Sequence, residues 1–402
     1  MDQALEDLRV LDLTHYVAGP VCTKALADFG ADVIKVERPG MGDRARHLPP
    51  FLNDSPHPEK SGLFLYLNNN KRGVTLNLKT RAGIGIFKEL VLWADVVVEN
   101  FRPSVLPGLG LGYEALGAIN PGLVMTSISN FGQTGPYRDF EATESVYYAL
   151  SGLMFSTGRP DREPIKLGAN VIQYQAGIQG ALHTMIALHG REIRGHGQHV
   201  DISIHEVQTG SIDRIMPMLL AYQYTGEVVH RGFQVDRGGA SVHLCQDGYL
   251  NMYPEEAILL KCLEMIGRSD LKSDPLFSSP EARSSPESSL AIDELLTPWL
   301  LEHTVIEAWA FAQEARIMSG PVYTSAQLVA DPNFSARGFW SQVERPHIGR
   351  SAIPGRPFNL YSSPWSLRRP APTLGEHNRE VYSGLLGYGR GDLAKLRELA
   401  VI

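Results

Sequence analysis

Apolar runs and mixed stretches alternate along the first half of the chain. Residues 8–14 (LRVLDLT) are a short apolar run that predicts a buried strand. Residues 15–20 (HYVAGP) read as a loop, and 21–29 (VCTKALADF) carry helical spacing up to Gly30. Pro20 fits near the helix start, where its missing N–H has no bond to lose. Residues 31–37 (ADVIKVE) are a second apolar strand ending in an acid. Strand, helix and strand in roughly thirty residues predict a βαβ unit, hence a parallel sheet with right-handed crossover.

The alternation continues. Residues 72–78, 95–100, 123–132 and 198–204 read as strands, and 80–94 and 175–192 as helices. Each strand is a near-continuous apolar run, as expected when helices cover both faces of the sheet. The fold class is therefore α/β, with a Rossmann-like large domain, a mostly parallel sheet and a smaller second domain. G-x-G-x-x-G is missing from the first βαβ unit, although Glu37 stands near where a ribose-binding acid would fall, so nicotinamide chemistry is disfavoured. The pattern loosens after about residue 225. Residues 268–297 are rich in Ser, Pro and charge and read as surface loops between short helices. We expect a large-domain segment at 1–225, a small domain at 226–325, and a return to the large domain at 326–402, closing with a helix near 391–400.

Composition narrows the function. The chain has 402 residues, 43% hydrophobic and 20% charged, with a formal net charge of −7, which argues against a nucleic-acid platform. Cys22, Cys245 and Cys262 are far apart and form no C-x-x-C pair, so neither a disulfide framework nor a metal site is indicated. The start, MDQALEDLRVLDLT, lacks the apolar run of a signal peptide, and no segment approaches about 18 uninterrupted apolar residues. A cytoplasmic protein without membrane contact is the expectation.

Nine stretches in consistent order carry a family resemblance: RVLDLTHYVAGP (9–20), GADVIKVERPGMGD (30–43), LNNNKRGVTLNLKT (67–80), ADVVVENFRP (94–103), GLGYEAL (110–116), ISNFGQTGPY (128–137), GHGQHVDISIHE (195–206), GPVYTSAQLVADP (320–332) and LGEHN (374–378). Together they resemble the class III CoA-transferases, which include formyl-CoA transferase and the carnitine CoA-transferase group, with α-methylacyl-CoA racemase as a branch. The resemblance implies an interlocked, ring-like homodimer. It also implies a coenzyme A thioester as substrate rather than a permanently bound cofactor, and transfer of CoA from an acyl-CoA to an organic acid through an Asp nucleophile. A carboxylate that attacks a thioester gives a mixed anhydride, which splits one hard exchange into easier steps.

Matched position by position, the resemblance places Arg38 at the adenine and 3′-phosphate end of CoA, and Leu76 and Lys79 in the next nucleotide-contacting segment. Asn100 and Phe101 fall in the ENF motif, and His15 lies near the pantetheine and acyl end. Read from residue type alone, Arg38 and Lys79 are solvated charges, Phe101 is a packing residue, and His15 is a histidine holding its own loop.

The pattern breaks at the reacting group. In PIKLGANVIQYQAG (164–177) the nucleophile position falls on Gln173, whose amide cannot form the anhydride, and no Asp occurs from Arg162 to Val200. A phosphate-binding Arg position is Gly108, a Lys position is Glu141, the usual Asp of TLDLK is Asn77, and the racemase His position is Thr143. Glu144 is the nearest surviving carboxylate and a weak candidate for nucleophile. Tyr147, Tyr148 and Tyr174 are packing residues or the wall of a pocket for an aromatic acyl group. Three readings stand: a subunit of a heteromeric transferase whose homologous partner brings the Asp, as in benzylsuccinate CoA-transferase; a self-sufficient transferase using a carboxylate such as Glu144; or a non-catalytic CoA-binding protein.

Overall fold

The computed structural model describes residues 3–210, 215–231, 239, 241–253 and 257–402. The chain folds into two compact units, Met1–Arg231 with Arg337–Ile402, and Gly232–Ala336.

In the first unit the order is β1 (Arg9–Asp12), α1 (Ala18–Ala27), β2 (Asp32–Glu37), α2 (Gly62–Leu67), β3 (Lys71–Thr75), α3 (Arg81–Trp93), β4 (Val96–Glu99), α4 (Val105–Gly108), α5 (Tyr113–Ile119) and β5 (Val124–Ser129). There follow α6 (Glu144–Leu150), α7 (Val171–Arg194), β6 (His199–Ser203), α8 (Ile204–Gly210) and α9 (Ile215–Thr225). The six strands pair in parallel in the order β3-β2-β1-β4-β5-β6, as expected for a doubly wound sheet. Every residue of β4 and β5 is buried, which fits their Val, Met and Ile positions, with Glu99, Thr126, Ser127 and Ser129 as buried polar groups among them.

Two cores flank the sheet. Val10, Val33, Val98 and Ile128 face α1 and α7, while Leu11, Ile34, Val97 and Met125 face α3 and α5. Val381, Tyr382, Leu393, Val401 and Ile402 close the second core, so the C-terminal segment returns to the large unit.

α1 and α7 cross closely because α7 offers glycines at the contact. A Cβ on Gly177 would stand 2.4 Å from the Ala18 carbonyl oxygen, and one on Gly180 would stand 2.8 Å from Ile128. Gly177→Ala is therefore expected to lower stability by about 1–3 kcal/mol, read as a lower urea midpoint with an unchanged slope.

The second unit holds β7 (Ser241–Leu244), β8 (Tyr249–Met252), α10 (Ile258–Met265), α11 (Pro280–Arg283), α12 (Pro286–Leu301), α13 (Val305–Glu314), β9 (Ser319–Pro321), α14 (Ser325–Ala330) and α15 (Pro332–Ala336). β7, β8 and β9 form an antiparallel sheet. The loop reading of 268–297 is corrected here, because α12 is a helix of 16 residues. Ser279 and Ser285 cap α11 and α12, each followed by Pro in the first turn, so the Ser-Pro pairs start helices. Back in the first unit, β10 (Trp340–Arg345) and β11 (Gly349–Pro354) make a hairpin, and α16 (Arg390–Glu398) is the expected last helix.

Candidate functional site

In an open parallel sheet, ligands bind beyond the carboxyl ends of the strands where the strand order reverses. Here β1 lies between β2 and β4, so the crevice falls between the loops that leave β1 and β4. Those loops carry His15 and the Asn100–Phe101 pair. Asn100 joins them: its Oδ1 accepts the His15 N–H at 2.8 Å and its Nδ2 donates to the His15 carbonyl at 2.8 Å. The Phe101 ring meets the His15 ring edge-on, with centroids 5.5 Å apart.

The other expected contacts also lie just past strand ends. Arg38 follows β2 and is exposed, and Lys79 lies beyond β3, also exposed. Among the described residues neither cation forms an ion pair, so both remain available to an anion at this edge. Leu76 directly follows β3, but its side chain is buried in the core beside Val74 and Ile86. Glu99, at the end of β4, accepts the Phe101 N–H at 2.8 Å, and burial pushes its carboxyl up to about 7.

The positions where the sequence departs from the family pattern are equally well defined. Asn77 accepts the Lys79 N–H at 3.1 Å and donates to the Ala400 carbonyl at 3.2 Å, tying the β3 exit to the chain's end. A Cβ on Gly108 would meet nothing within 4 Å, so packing does not demand glycine there. Glu141 is paired with Arg102, so its charge is matched rather than free to repel phosphate. Thr143 is exposed just before α6.

Gln173 sits elsewhere than local sequence indicates. The expected helix at 175–192 begins at Val171, which takes Gln173 into the first turn of a 24-residue helix. The reason is a cap supplied from outside. Asn170 makes no side-chain cap, and instead Glu144 Oε1 accepts the Ile172 N–H at 2.7 Å. The backbone N–H and side-chain amide of Gln173 also favour the ionised form of that carboxylate. Burial raises the Glu144 carboxyl, and these donors partly offset that rise. A carboxylate at a helix N-terminus neutralises unpaired N–H groups. Both Gln173 and Glu144 are 7% exposed.

The His15 loop reaches this helix through Tyr16, whose hydroxyl donates to Asn170 Oδ1 at 3.0 Å. Sequence reading missed both residues. Tyr174 packs with Tyr16, Tyr66 and Val17, while Tyr147 and Tyr148 are buried in the α7-side core. Tyr147 donates to Asn130 Oδ1 at 2.5 Å.

Beneath the His15 loop lies a buried charge network that was also unforeseen. Lys71 Nζ donates to Asp12 Oδ2 at 2.9 Å, Thr23 Oγ1 at 2.8 Å and Asn68 Oδ1 at 2.9 Å. Lys35 pairs with Asp43 at 2.9 Å and lies 3.9 Å from Asp12. Burial alone would raise Asp12, yet Lys35 and Lys71 hold its carboxyl well below the usual range. Burial pushes Lys71 down to about 8, with Asp12 opposing it. Two acids and two lysines balance, which is the condition for burying charge at all.

Among the described residues there is no cluster of three or more groups suited to a metal, and no helix is long and apolar enough to cross a membrane.

Comparison with known proteins matches this layout to one family. Residues 5–378 match the family model of CoA-transferase family III. The chain is 36% identical to a succinyl-CoA–D-citramalate CoA-transferase of Chloroflexus aurantiacus, covering 99% of this chain and 98% of that one. It is 33% identical to a formyl-CoA:oxalate CoA-transferase of Rhodopseudomonas palustris (strain BisA53), over 99% and 97%. A crystal structure of a CAIB/BAIF family protein from Brucella suis superposes with a TM-score of 0.84 at 29% identity, covering 96% of this chain and 100% of that one. The chain belongs to CoA-transferase family III.

Proposed function

We propose that this chain is the subunit of a heteromeric, cytoplasmic CoA-transferase that lacks the Asp nucleophile, and that a homologous subunit supplies it. The observation that carries this reading is the placement of Gln173. Its side chain is buried in the first turn of α7 beside Glu144, where a nucleophilic carboxylate is missing. Glu144 does not take over the role in this reading, because it is engaged in holding the start of α7. The nucleotide edge of the site persists: Arg38 and Lys79 take the adenosine and 3′-phosphate end, Asn100 and Phe101 the ENF contacts, and His15 the pantetheine end, with Leu76 contributing through its backbone.

The surface of α7 supports a protein partner. Ile178, Leu182, Ile186 and Ile193 are 55%, 51%, 56% and 73% exposed at helical spacing on one side of the helix. An apolar stripe of that kind is a docking surface in an assembled enzyme. An interlocked dimer with a homologous chain is the assembly we propose for it. The donor is an acyl-CoA such as succinyl-CoA, and the acceptor an organic acid. Tyr16, Tyr66 and Tyr174, half-buried at the start of α7, make aromatic acids the first acceptors to examine.

The test is CoA exchange between succinyl-CoA and a panel of carboxylic acids. The chain alone is expected to give no exchange above background, and the chain co-expressed with an Asp-bearing homologue a rate at least about a thousandfold higher. Robust turnover by the single chain would falsify the heteromer.

A further inference from the structure

The loop 14–16 is held more tightly than a surface loop needs. Asp12 Oδ1 accepts the Thr14 N–H at 2.9 Å, and Lys35 Nζ donates to the Thr14 carbonyl at 2.9 Å. Asn100 takes both backbone groups of His15. Asp43 Oδ1 accepts the Tyr16 N–H at 2.9 Å. Five consecutive backbone polar groups are thus met by side chains from β1, β2, the segment after β2, and the end of β4. What they hold is Tyr16 at φ 71°, a left-handed conformation unfavourable for a residue with a large side chain. Such strain persists only where surrounding contacts over-determine it, and it concentrates at functional sites.

We propose that Lys35 and Asp43 are positioning residues that lock the His15–Tyr16 turn, so that His15 and the Tyr16–Asn170 bond set the acyl end of the CoA site against the start of α7. Lys35 and Asp43 touch no substrate. Lys35 fixes the Thr14 carbonyl and neutralises Asp43, and Asp43 fixes the Tyr16 N–H while lying 3.8 Å from His15 Nδ1. Asp43 also accepts the Ala45 N–H at 2.8 Å, which ties the segment after β2 to the same point. Burial lowers the His15 pKa, with Asp43, Glu37 and Asp12 opposing and Lys35 adding to the fall. The inference rests on the reading above only in taking this edge as the CoA site.

The experiment uses the full chain with 13C-labelled histidines, comparing parent, Asp43→Asn and Tyr16→Phe with two ligands, acetyl-CoA and adenosine 3′,5′-bisphosphate. Asp43→Asn is expected to lose roughly tenfold in acetyl-CoA affinity, the scale of a charge-assisted bond, with bisphosphate affinity unchanged. Its His15 ring resonance should titrate at lower pH, because a nearby negative charge is gone. A folded Asp43→Asn protein with parental affinities and an unmoved His15 titration overturns the proposal, as does an equal loss for both ligands. Where Asp43→Asn does not fold, Tyr16→Phe decides: a loss confined to acetyl-CoA supports the lock, and no loss overturns it. A parent that binds neither ligand counts against the CoA-site reading, and the His15 titration still decides the lock.

Discussion

Gln173→Asp is expected to give the chain a covalent acyl adduct that it otherwise does not form. Position 173 lies in the first turn of α7, where the helix field favours a carboxylate. Asp there would stand beside Glu144, and two neighbouring carboxylates push their pKa values apart, leaving one ionised near neutral pH. That carboxylate attacks the thioester carbonyl, the carbon–sulfur bond breaks, and CoA leaves as thiolate, giving an enzyme-bound anhydride. In a single turnover with saturating succinyl-CoA, thiol release should rise at least about a thousandfold over the parent, since losing a nucleophile costs that or more in other covalent enzymes. Intact mass spectrometry should show one added succinyl group. A folded Gln173→Asp protein with neither adduct nor thiol release would mean that more than the nucleophile has been lost.

Asp12→Ala is expected to be among the most destabilising single changes in the molecule. It leaves the fully buried Lys71 without the carboxylate it pairs with, and Lys35 with Asp43 as its remaining partner. Removing one partner of a buried charge network costs about 3–5 kcal/mol, because the remaining charge is stranded. It also frees the Thr14 N–H and so loosens the His15 loop. The pH dependence follows from the same contacts. Because the folded-state Asp12 carboxyl lies below its unfolded value near 3.9, its stabilisation is fully present above that pH. It is lost as pH falls through the folded value. Acid unfolding of the parent should therefore have a component that Asp12→Ala lacks, visible as a flatter stability profile below about pH 4.

Much of the fold was legible because parallel strands covered on both faces are rich in apolar residues, and the Val, Leu, Ile and Met positions of β1, β2, β4 and β5 carry that signal. The expectation that the nucleophile is missing rests on the motifs on both sides of position 173, which align without a gap. The start of α7 was not, since its cap comes from Glu144, 28 residues before Ile172. Tyr16 and Asn170 are 154 residues apart and nothing local pairs them. The charge network left a partial trace: Asp12, Lys35 and Lys71 each interrupt or border an apolar strand. Charge in such a strand signals a buried partner, but only the sheet order β3-β2-β1 says which. In the second unit, Ser-Pro-rich composition misled because the same residues that break helices also begin them.

The central claim is that this chain shapes a CoA-transferase site whose nucleophile belongs to another subunit. The most direct test assembles the chain with an Asp-bearing homologue, reacts the complex with succinyl-CoA, traps the acyl-enzyme with hydroxylamine and locates the hydroxamate by peptide mass spectrometry. Our account predicts modification of an aspartate in the homologue and none in this chain. A hydroxamate on Glu144, formed also by this chain alone, would contradict it.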